Sequence, residues 1–196
     1  MFKGKKVVLG ITGGIAAYKA ADLASWLTKN GADVHTAMTK NACEFITPLT
    51  LQSLTNRPVA LDIFATGPYW QVVHIALVEN ADLMVIVPAT ANFIAKAANG
   101  IADDLLSSSL LAAVYPVVFV PAMNVNMYEN PATQANIEIL RNRGFAIIEP
   151  AVGRLACGTE GKGRLPEISV IQKAITEILL PKQDLLAKKV LITAGP

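Results

Sequence analysis

The sequence predicts an α/β fold with a single doubly wound parallel sheet. Short apolar runs with the length of buried strands recur along the chain, and segments with helical spacing of apolar residues separate them. The first run, residues 5–12, is apolar without alternation, as in strands covered on both faces. Glycines or polar residues follow several of the runs, which is typical of strand ends that bind ligands in α/β proteins.

The predicted strands are short and are separated by helices. The first strand turns at Gly13 and Gly14 into a helix over residues 15–27, and the second contains His35 and ends at residues 38–40. Further strands are expected over residues 83–87, 117–120 and 145–148, with a short edge strand over residues 59–64. This alternation predicts a three-layer sandwich of the flavodoxin or Rossmann type.

Capping residues mark several helix starts. Asn41, followed by Glu44, matches a capping box. Thr47 before Pro48 is typical of a cap with proline in the first turn, and Asp103 is expected to cap the helix after it. The helices are expected over residues 48–56, 75–79, 94–98, 104–113, 130–144 and 167–180.

Composition excludes several classes of protein. The 196 residues suffice for one α/β domain, and 53% hydrophobic against 16% charged residues leaves few polar side chains for a monomer's surface, which favours an oligomer. A net charge of +2 without a basic stripe argues against nucleic acid. No apolar run has the roughly 18 residues of a membrane span, and no signal peptide is visible, so we expect a cytoplasmic protein. Two cysteines are too few for a disulfide framework or a cysteine-rich metal site.

The turn at Gly13 and Gly14 predicts an anion site. Backbone N–H groups and the positive end of a helix dipole converge where a strand passes through such a turn into a helix. Residues 10–14 do not match a dinucleotide fingerprint, and no acidic residue follows the second strand. A mononucleotide phosphate such as that of FMN fits better, with Thr39 offering a hydroxyl. A turn that packs without a ligand is the alternative.

Polar residues also follow the third and fourth predicted strands. Thr90 and Asn92 come directly after the third strand, and Asn124 follows the fourth. Right-handed crossovers bring these strand ends to one edge of the sheet. Asparagine is also a common turn residue, but the recurrence of polar groups at successive strand ends favours a ligand site.

Cys157 lies in a segment with three glycines and two basic residues, residues 155–164. Closely spaced glycines weaken helices and strands, so the sequence predicts a loop. A thiol on a glycine-hinged basic loop can close over an anionic ligand and deliver a proton. An idle cysteine in a tight surface loop is the alternative.

The chain has two histidines. His74 lies at the boundary between a loop and a helix, and histidine is well suited to proton transfer near neutrality. A cap-like surface residue is the alternative interpretation of His74. His35 alternates with its neighbours inside a strand and is expected to be structural.

The end of the chain repeats its beginning. Residues 188–196 resemble residues 5–13, with a basic pair, an apolar strand and a glycine. We therefore expect a domain over residues 1–181, followed by residues 182–196 as a linker and the first strand of a second domain, cut off within a longer protein.

Taken in order, these motifs resemble the flavin-containing cysteine decarboxylase family, and most closely its members that act on phosphopantothenoylcysteine. The resemblance spans nearly the whole chain and rests on residues 13–19, 74–75, 88–92, 98–106, 121–124 and 156–164. Phe93 and Tyr128 are departures, since the family usually has threonine at the first position and commonly tryptophan at the second.

The resemblance implies FMN as cofactor and no metal. It places the phosphate and ribityl chain at Gly13, Gly14, Ile15 and Thr39. It places the flavin near Thr90, Ala91, Asn92, Phe93 and Ala122. It implies proton handling by His74, a contact to the substrate carboxylate by Asn124, and a final proton from Cys157. Further substrate contacts are implied at Met127, Lys162 and Arg164, the two cations attracting the substrate phosphate or remaining solvated.

The function implied is FMN-dependent decarboxylation of 4'-phosphopantothenoylcysteine to 4'-phosphopantetheine in coenzyme A biosynthesis. The resemblance also implies a homotrimer with flavin at subunit contacts, often grouped into a dodecamer, and a fused ligase that joins phosphopantothenate to cysteine. Alternatives are oxidative decarboxylation of a peptide's C-terminal cysteine, a flavin prenyltransferase, and a flavin-binding regulator. The segment around Cys157 argues against the first, and the signatures at residues 121–124 and 157–158 argue against the second. The full set of His74, Asn124 and Cys157 argues against the third.

Overall fold

Five parallel strands form the central sheet of the computed structural model, which describes residues 1–64, 72–154, 158 and 160–180. They are β1 (Lys6–Ile11), β2 (Asp33–Met38), β3 (Leu83–Ala89), β4 (Val117–Pro121) and β5 (Ala146–Ile147). Their order in the sheet is β2-β1-β3-β4-β5. The chain moves from β1 to β2 on one side and then places β3 on the other side of β1. Ligands of open α/β sheets bind outside the strand carboxyl ends at such a reversal.

Helices cover both faces of the sheet. Val7 and Leu9 of β1 belong to one core cluster, and Val8, which points the other way, belongs to a second. The helices are α1 (Ala20–Lys29), α2 (Pro48–Thr55), α3 (Val73–Val78), α4 (Ala91–Asn99), α5 (Leu105–Leu111), α6 (Val125–Glu129), α7 (Pro131–Asn142) and α8 (Ile168–Leu179). The first cluster includes α1 and α8, and the second includes α4, α5 and α7. The predicted three-layer α/β sandwich is confirmed. None of the helices within the described residues combines the length and apolar character needed to cross a bilayer.

Burial explains why the strands were visible in the sequence. All seven residues of β3 are buried, as expected for a central strand packed on both faces. The edge is different, because β5 has only two residues and both retain some exposure. The predicted strand over residues 59–64 is reduced to one isolated bridge, Ala60 with Ala37.

Three predicted helix starts differ in detail. The helix after Gly14 begins as a 3-10 turn, Ile15–Lys19, before α1. The predicted capping box at Asn41 is wrong, because Asn41 lies inside a 3-10 turn, Lys40–Glu44, that has no side-chain cap. The cap of α5 is Asp104, whose side chain accepts a hydrogen bond from the backbone N–H of Ser107 in a capping box. Asp103 instead forms an ion pair with Lys96, so two adjacent aspartates take different roles.

Asp82 links the starts of β1 and β3. Its carboxylate accepts hydrogen bonds from the Lys5 ammonium at 2.7 Å and the Lys6 backbone N–H at 2.9 Å. The hydrogen bond from Lys5, together with that from Lys6, holds the pKa of the Asp82 carboxyl below its ordinary value, although burial opposes the shift. A lowered carboxyl pKa contributes stability above the unfolded-state pKa of about 3.9, and this contribution is lost as pH falls further.

We therefore expect Asp82→Asn to lower the free energy of unfolding at pH 7 by about 0.5–1 kcal/mol, a modest value because the pair is partly exposed. As pH is lowered below about 4, the free energy of unfolding should also fall less for the variant than for the wild type. Urea unfolding from pH 7 to pH 3 measures both effects. Lys5→Met is the matched control, since it keeps the backbone hydrogen bond to Asp82 and should lose less of the pH dependence. An identical pH profile for wild type and Asp82→Asn would contradict this account.

Candidate active site

A cavity of about 730 Å³ lies at the carboxyl edge of the sheet, within the size range of small-molecule and cofactor sites. Segments after each of the first four strands line it, together with α6 and a hairpin later in the chain. The lining includes most of the predicted site residues, namely Gly13, Gly14, Ile15, Thr39, Thr90, Ala91, Asn92, Phe93, Ala122, Asn124, Met127 and Arg164. The predicted convergence of strand ends is therefore present in the structure.

Thr12 ties two of these strand ends together, and sequence reasoning missed it. Its buried hydroxyl donates to the Pro88 carbonyl at 2.6 Å and accepts from the Thr90 backbone N–H at 3.0 Å. These bonds join the end of β1 to the end of β3. The hydroxyl of Thr90 in turn accepts from the Phe93 N–H and caps α4. A buried threonine at the end of an apolar strand was the available sequence signal.

Gly13 is required by close packing. A Cβ at this position would overlap the Cβ and backbone of Asn41, which follows β2. Gly14 has open space by comparison, since its Cβ would meet Thr90 Cγ2 at an ordinary 3.6 Å. The first glycine thus lets the ends of β1 and β2 approach each other, and both glycines line the cavity.

Thr39 presents an unused hydrogen-bonding group at the cavity. Its Oγ1 is buried and has no hydrogen-bond partner within the described residues. A buried hydroxyl without a partner costs free energy, so such groups usually serve a ligand or water. This observation fits the predicted role of Thr39 in holding a polar part of a cofactor.

Asn124 is held in place by the helix that it begins. Its Oδ1 accepts from the Asn126 N–H at 2.9 Å, which caps α6, and its carbonyl accepts from the Tyr128 N–H. Ala122 precedes it in the lining, and the half-exposed Met127 lies one turn further on. The side chain that the resemblance assigns to the substrate carboxylate is therefore fixed at the edge of the cavity.

The two departures from the family pattern lie in different surroundings. The ring of Phe93 is buried and lies 6.4 Å from the ring of Phe119 in the core, although the residue also lines the cavity. Tyr128 is buried as well, and its hydroxyl donates to Glu149 at 2.7 Å. Neither aromatic ring projects freely into solvent.

The end of the segment predicted as a glycine loop forms a strand, β7 (Glu160–Arg164), which pairs with β6 (Ala151–Arg154) in a two-stranded antiparallel hairpin. Residues 155–157 and 159 lie outside the described residues, and with them the predicted acid Cys157. The prediction of an irregular loop is wrong for β7, because its glycines serve close packing. The Gly163 carbonyl accepts from the Met123 N–H at 2.9 Å, and a Cβ on Gly163 would overlap the Met123 carbonyl oxygen. The hairpin thus lies directly against the segment that carries Asn124.

Lys162 and Arg164 point to different partners. Lys162 does not belong to the lining of the cavity; its ammonium lies 2.6 Å from Glu149 and 5.3 Å from the centre of the Tyr128 ring. Arg164 lines the cavity and forms an ion pair with Glu167 at 2.9 Å. The predicted substrate contact of each cation stays a prediction, with the geometry favouring Arg164.

Glu149 is the centre of this network and was not identified from the sequence. Its carboxylate contacts Lys162, Arg141 and the Tyr128 hydroxyl. Burial alone would raise the pKa of Glu149, but the hydrogen bonds from Lys162 and Tyr128 outweigh it and hold the pKa below its ordinary value. The hydrogen bond to Glu149 raises the pKa of Lys162. The network attaches the hairpin to α6 and α7.

His74 lies in the first turn of α3 and is not among the residues that line the cavity. Its Nδ1 is buried and has no hydrogen-bond partner among the described residues. The structure therefore brings Asn124 to the cavity of its own chain but leaves His74 away from it.

The lining is strongly cationic. In the described part of the chain it holds five basic side chains, Lys19, Lys40, Lys96, Arg154 and Arg164, and one carboxylate, Asp104. Lys96 is paired with Asp103 and Asp104. This balance favours an anionic ligand. No cluster of three or more His, Cys, Asp or Glu side chains suited to a metal ion occurs among the described residues.

A family model described as "Flavoprotein" matches residues 1–180. The chain belongs to the flavoprotein family. Among curated relatives, this flavoprotein is 46% identical to the coenzyme A biosynthesis bifunctional protein CoaBC of Bacillus subtilis (strain 168), over 100% of the chain and 49% of the relative. It is 48% identical to the same-named protein of Vibrio vulnificus (strain YJ016), over 98% of the chain and 48% of the relative. The chain thus spans about half the length of these relatives.

Solved structures agree with this assignment. The flavoprotein resembles the FMN-dependent cysteine decarboxylase SpaF with a TM-score of 0.77 and 34% identity, over 91% of this chain and 97% of the other. It resembles a PPC decarboxylase mutant complexed with pantothenoylaminoethenethiol with a TM-score of 0.79 and 32% identity, over 87% and 96% of the chains. The predicted family and fold are confirmed, and the predicted flavin cofactor is confirmed at the level of the family.

The site residues fit a flavin mononucleotide. The cavity has sufficient volume, its lining is cationic, and Thr39 offers a buried hydroxyl without a partner among the described residues. The Gly13 turn leaves the backbone at the ends of β1 and β2 next to the cavity. Each of these features suits a ligand that combines a flat ring, a polyol chain and a phosphate.

We expect Gly13→Ala and Gly14→Ala to change the stability of the FMN-free protein in opposite directions. The Cβ added by Gly13→Ala would overlap Asn41, and such overpacking costs about 1–3 kcal/mol. Gly14 has extended angles, φ −144° and ψ 155°, that alanine adopts without strain, so its replacement should stabilise by about 0.4–1 kcal/mol through the unfolded state. Urea unfolding measures both values. Equal effects of the two substitutions would contradict the close approach of Asn41 to Gly13.

Proposed function

We propose that this flavoprotein decarboxylates 4'-phosphopantothenoylcysteine to 4'-phosphopantetheine with FMN as cofactor, a step of coenzyme A biosynthesis. The observation that carries the proposal is the cavity itself. The Gly13 turn, Thr39 and Asn124, whose side chain caps α6, all line it. The matched relatives named for coenzyme A biosynthesis and the similar PPC decarboxylase structure support the choice of substrate.

The substrate itself explains why a flavin is needed. Its carboxylate is attached to a carbon without a neighbouring carbonyl, so direct loss of carbon dioxide would leave an unstabilised carbanion. When bound, FMN supplies reversible two-electron chemistry that converts the cysteine CH2–SH to a thioaldehyde and later restores the electrons. Gly13, Gly14, Ile15 and Thr39 would hold its phosphate and ribityl chain. Thr90, Ala91, Asn92, Phe93 and Ala122 would surround the ring.

The protein's own residues position the substrate and move protons. Asn124 would hold the substrate carboxylate, and its fixed side chain reduces the entropy lost when the carboxylate is oriented for cleavage. Met127 would contact the chain of the substrate. His74 would take a proton in the oxidative half of the reaction, and Cys157 would donate one to the enethiolate after carbon dioxide has left.

A homo-oligomer would complete the site. Ile15, Tyr18 and Met127 line the cavity yet are 59%, 56% and 50% exposed in a single chain, which is unusual for apolar side chains at a site of this kind. A trimer with flavin at subunit contacts, alone or grouped into a dodecamer, would cover them. It would also place His74 at the cavity of a neighbouring subunit, since His74 does not line the cavity of its own chain.

The proposal extends to the whole protein and its location. Relatives about twice as long and named bifunctional support residues 182–196 as the start of a second domain with phosphopantothenate–cysteine ligase activity. Residues 1–181 would then form the decarboxylase domain. Because the matched relatives are named for coenzyme A biosynthesis, we also propose that the enzyme is cytoplasmic.

Incubation with substrate followed by mass spectrometry tests the function. We expect a yellow protein that releases carbon dioxide and forms phosphopantetheine. A product lighter by two hydrogens would indicate that the wild type stops after oxidative decarboxylation, as expected for an enzyme acting on peptide cysteines. A pure folded protein with neither bound flavin nor turnover would rule the proposal out.

Cys157→Ser should separate the two halves of the reaction. Carbon dioxide should still be released, while the enethiol accumulates and phosphopantetheine formation falls by about 10²-fold or more, because the final proton donor is lost. Mass spectrometry distinguishes the two products. A normal yield of phosphopantetheine from this variant would remove Cys157 from the mechanism.

His74→Asn should retain FMN but lose the oxidative half, with carbon dioxide release reduced by about 10²–10⁴-fold. Absorbance at the flavin band and carbon dioxide release measure these properties. His35→Asn is the matched control, because the only other histidine contacts Asp33 at 3.1 Å and does not line the cavity. Equal rates for wild type and His74→Asn would return His74 to a structural role.

A further inference from the structure

Most cations in or near the cavity either form ion pairs or lie next to the residues that would hold the cofactor phosphate. Lys96 is paired with Asp103 and Asp104, and Lys162 is paired with Glu149 outside the lining. Lys19 and Lys40 follow the Gly13 turn and β2, next to the groups that would hold the cofactor phosphate. This leaves Arg154 and Arg164, both on the hairpin that lies against the Asn124 segment.

Arg154 differs from Arg164 in having no ion-pair partner among the described residues. It is exposed at the end of β6, it lines the cavity, and no carboxylate within the described residues forms an ion pair with it. Glu160 is its cross-strand neighbour in β7 but is exposed and does not belong to the lining. An arginine that faces a cavity and has no carboxylate partner can bind an anion that enters the cavity.

Arg164 lies next to Arg154. Its side chain crosses Gly153, where a Cβ would lie 3.5 Å from Nη1 of Arg164. Gly153 directly precedes Arg154, so the two guanidinium-bearing residues share one end of the hairpin. The side chain of Glu167, the ion-pair partner of Arg164, is 65% exposed. Solvent screens this ion pair, so Glu167 competes weakly with a phosphate dianion for Arg164.

We infer that Arg154, assisted by Arg164, binds the phosphate monoester of the substrate and makes the enzyme select phosphorylated over unphosphorylated substrate. The inference rests on the proposed function. Guanidinium groups match the oxygens of a phosphate in bidentate fashion, which an ammonium does not. Both FMN and the substrate carry a phosphate monoester, and the position of the arginines on the hairpin that lies against the Asn124 segment assigns them to the substrate.

The test combines a change in the enzyme with a change in the substrate. Wild type and Arg154→Gln are assayed, as FMN-loaded protein, with 4'-phosphopantothenoylcysteine and with unphosphorylated pantothenoylcysteine. We expect the variant to lose about 10- to 100-fold in kcat/KM on the phosphorylated substrate, the range for a hydrogen bond to a charged group, mainly through KM. On the unphosphorylated substrate the change should stay within about twofold, since no phosphate contact exists to lose.

Two further variants isolate the cause. Lys173→Gln removes an exposed cation of α8 that lies outside the lining, so the ratio between the two substrates should stay as in wild type. Arg154→Lys keeps the charge but loses the planar fork, and it should recover part of the preference. A ratio that Lys173→Gln lowers as much as Arg154→Gln would point to general electrostatic attraction and overturn the assignment.

Other outcomes would also overturn it. An equal loss on both substrates would mean that Arg154 acts on the shared part of the substrate or on the fold. Weaker FMN binding by Arg154→Gln, measured by flavin release, with an unchanged substrate ratio would assign the arginine to the cofactor. If the wild type decarboxylates neither compound, the proposed function fails. Calorimetric binding of 4'-phosphopantothenate and pantothenate to wild type and Arg154→Gln then still measures phosphate preference by itself, and a preference that is equal in the two proteins overturns the inference.

Discussion

The hydroxyl of Thr12 holds the candidate active site at its base. It joins the ends of β1 and β3 through the Pro88 carbonyl and the Thr90 N–H, at the point where the strand order of the sheet reverses. A buried hydroxyl that donates one hydrogen bond and accepts another fixes both backbones. Breaking either hydrogen bond where water cannot enter would leave a buried polar group without a partner. The Gly13 turn, the cap of α4 and the cavity between them all depend on this junction.

The strands and helices of the central layers could be predicted because burial produces a recognisable local pattern of apolar residues. A strand such as β3, covered on both faces, must be apolar throughout, and the glycine and asparagine residues at helix ends follow from backbone geometry. Features at the margins of the sheet were less visible. The capping box expected at Asn41 is absent because Asn41 packs closely on Gly13, a contact between the ends of two neighbouring strands that lie far apart in the sequence. Short-range patterns carry no information on such contacts.

The hairpin shows the same limit from the other side. Glycines so close together favour a loop on local grounds, but the surface on which β7 lies is the backbone of Met123, and only a residue without a side chain can approach it. The polar strand ends were predicted correctly because topology alone brings them to one edge. Thr12, Glu149 and Arg154 were missed because their roles come from partners or cavities that adjacent sequence does not reveal.

The Glu149 network sets the acid–base range over which the hairpin stays attached. The pKa of the carboxyl lies below its ordinary value and the pKa of Lys162 lies above its own. Both titrations therefore move away from neutrality, and the ion pair between Glu149 and Lys162 of β7 persists over a wider pH interval than two isolated side chains would allow. Variation of pH across the physiological range leaves this attachment charged and intact. A change of turnover with pH in that range would therefore not come from loss of the Glu149–Lys162 ion pair.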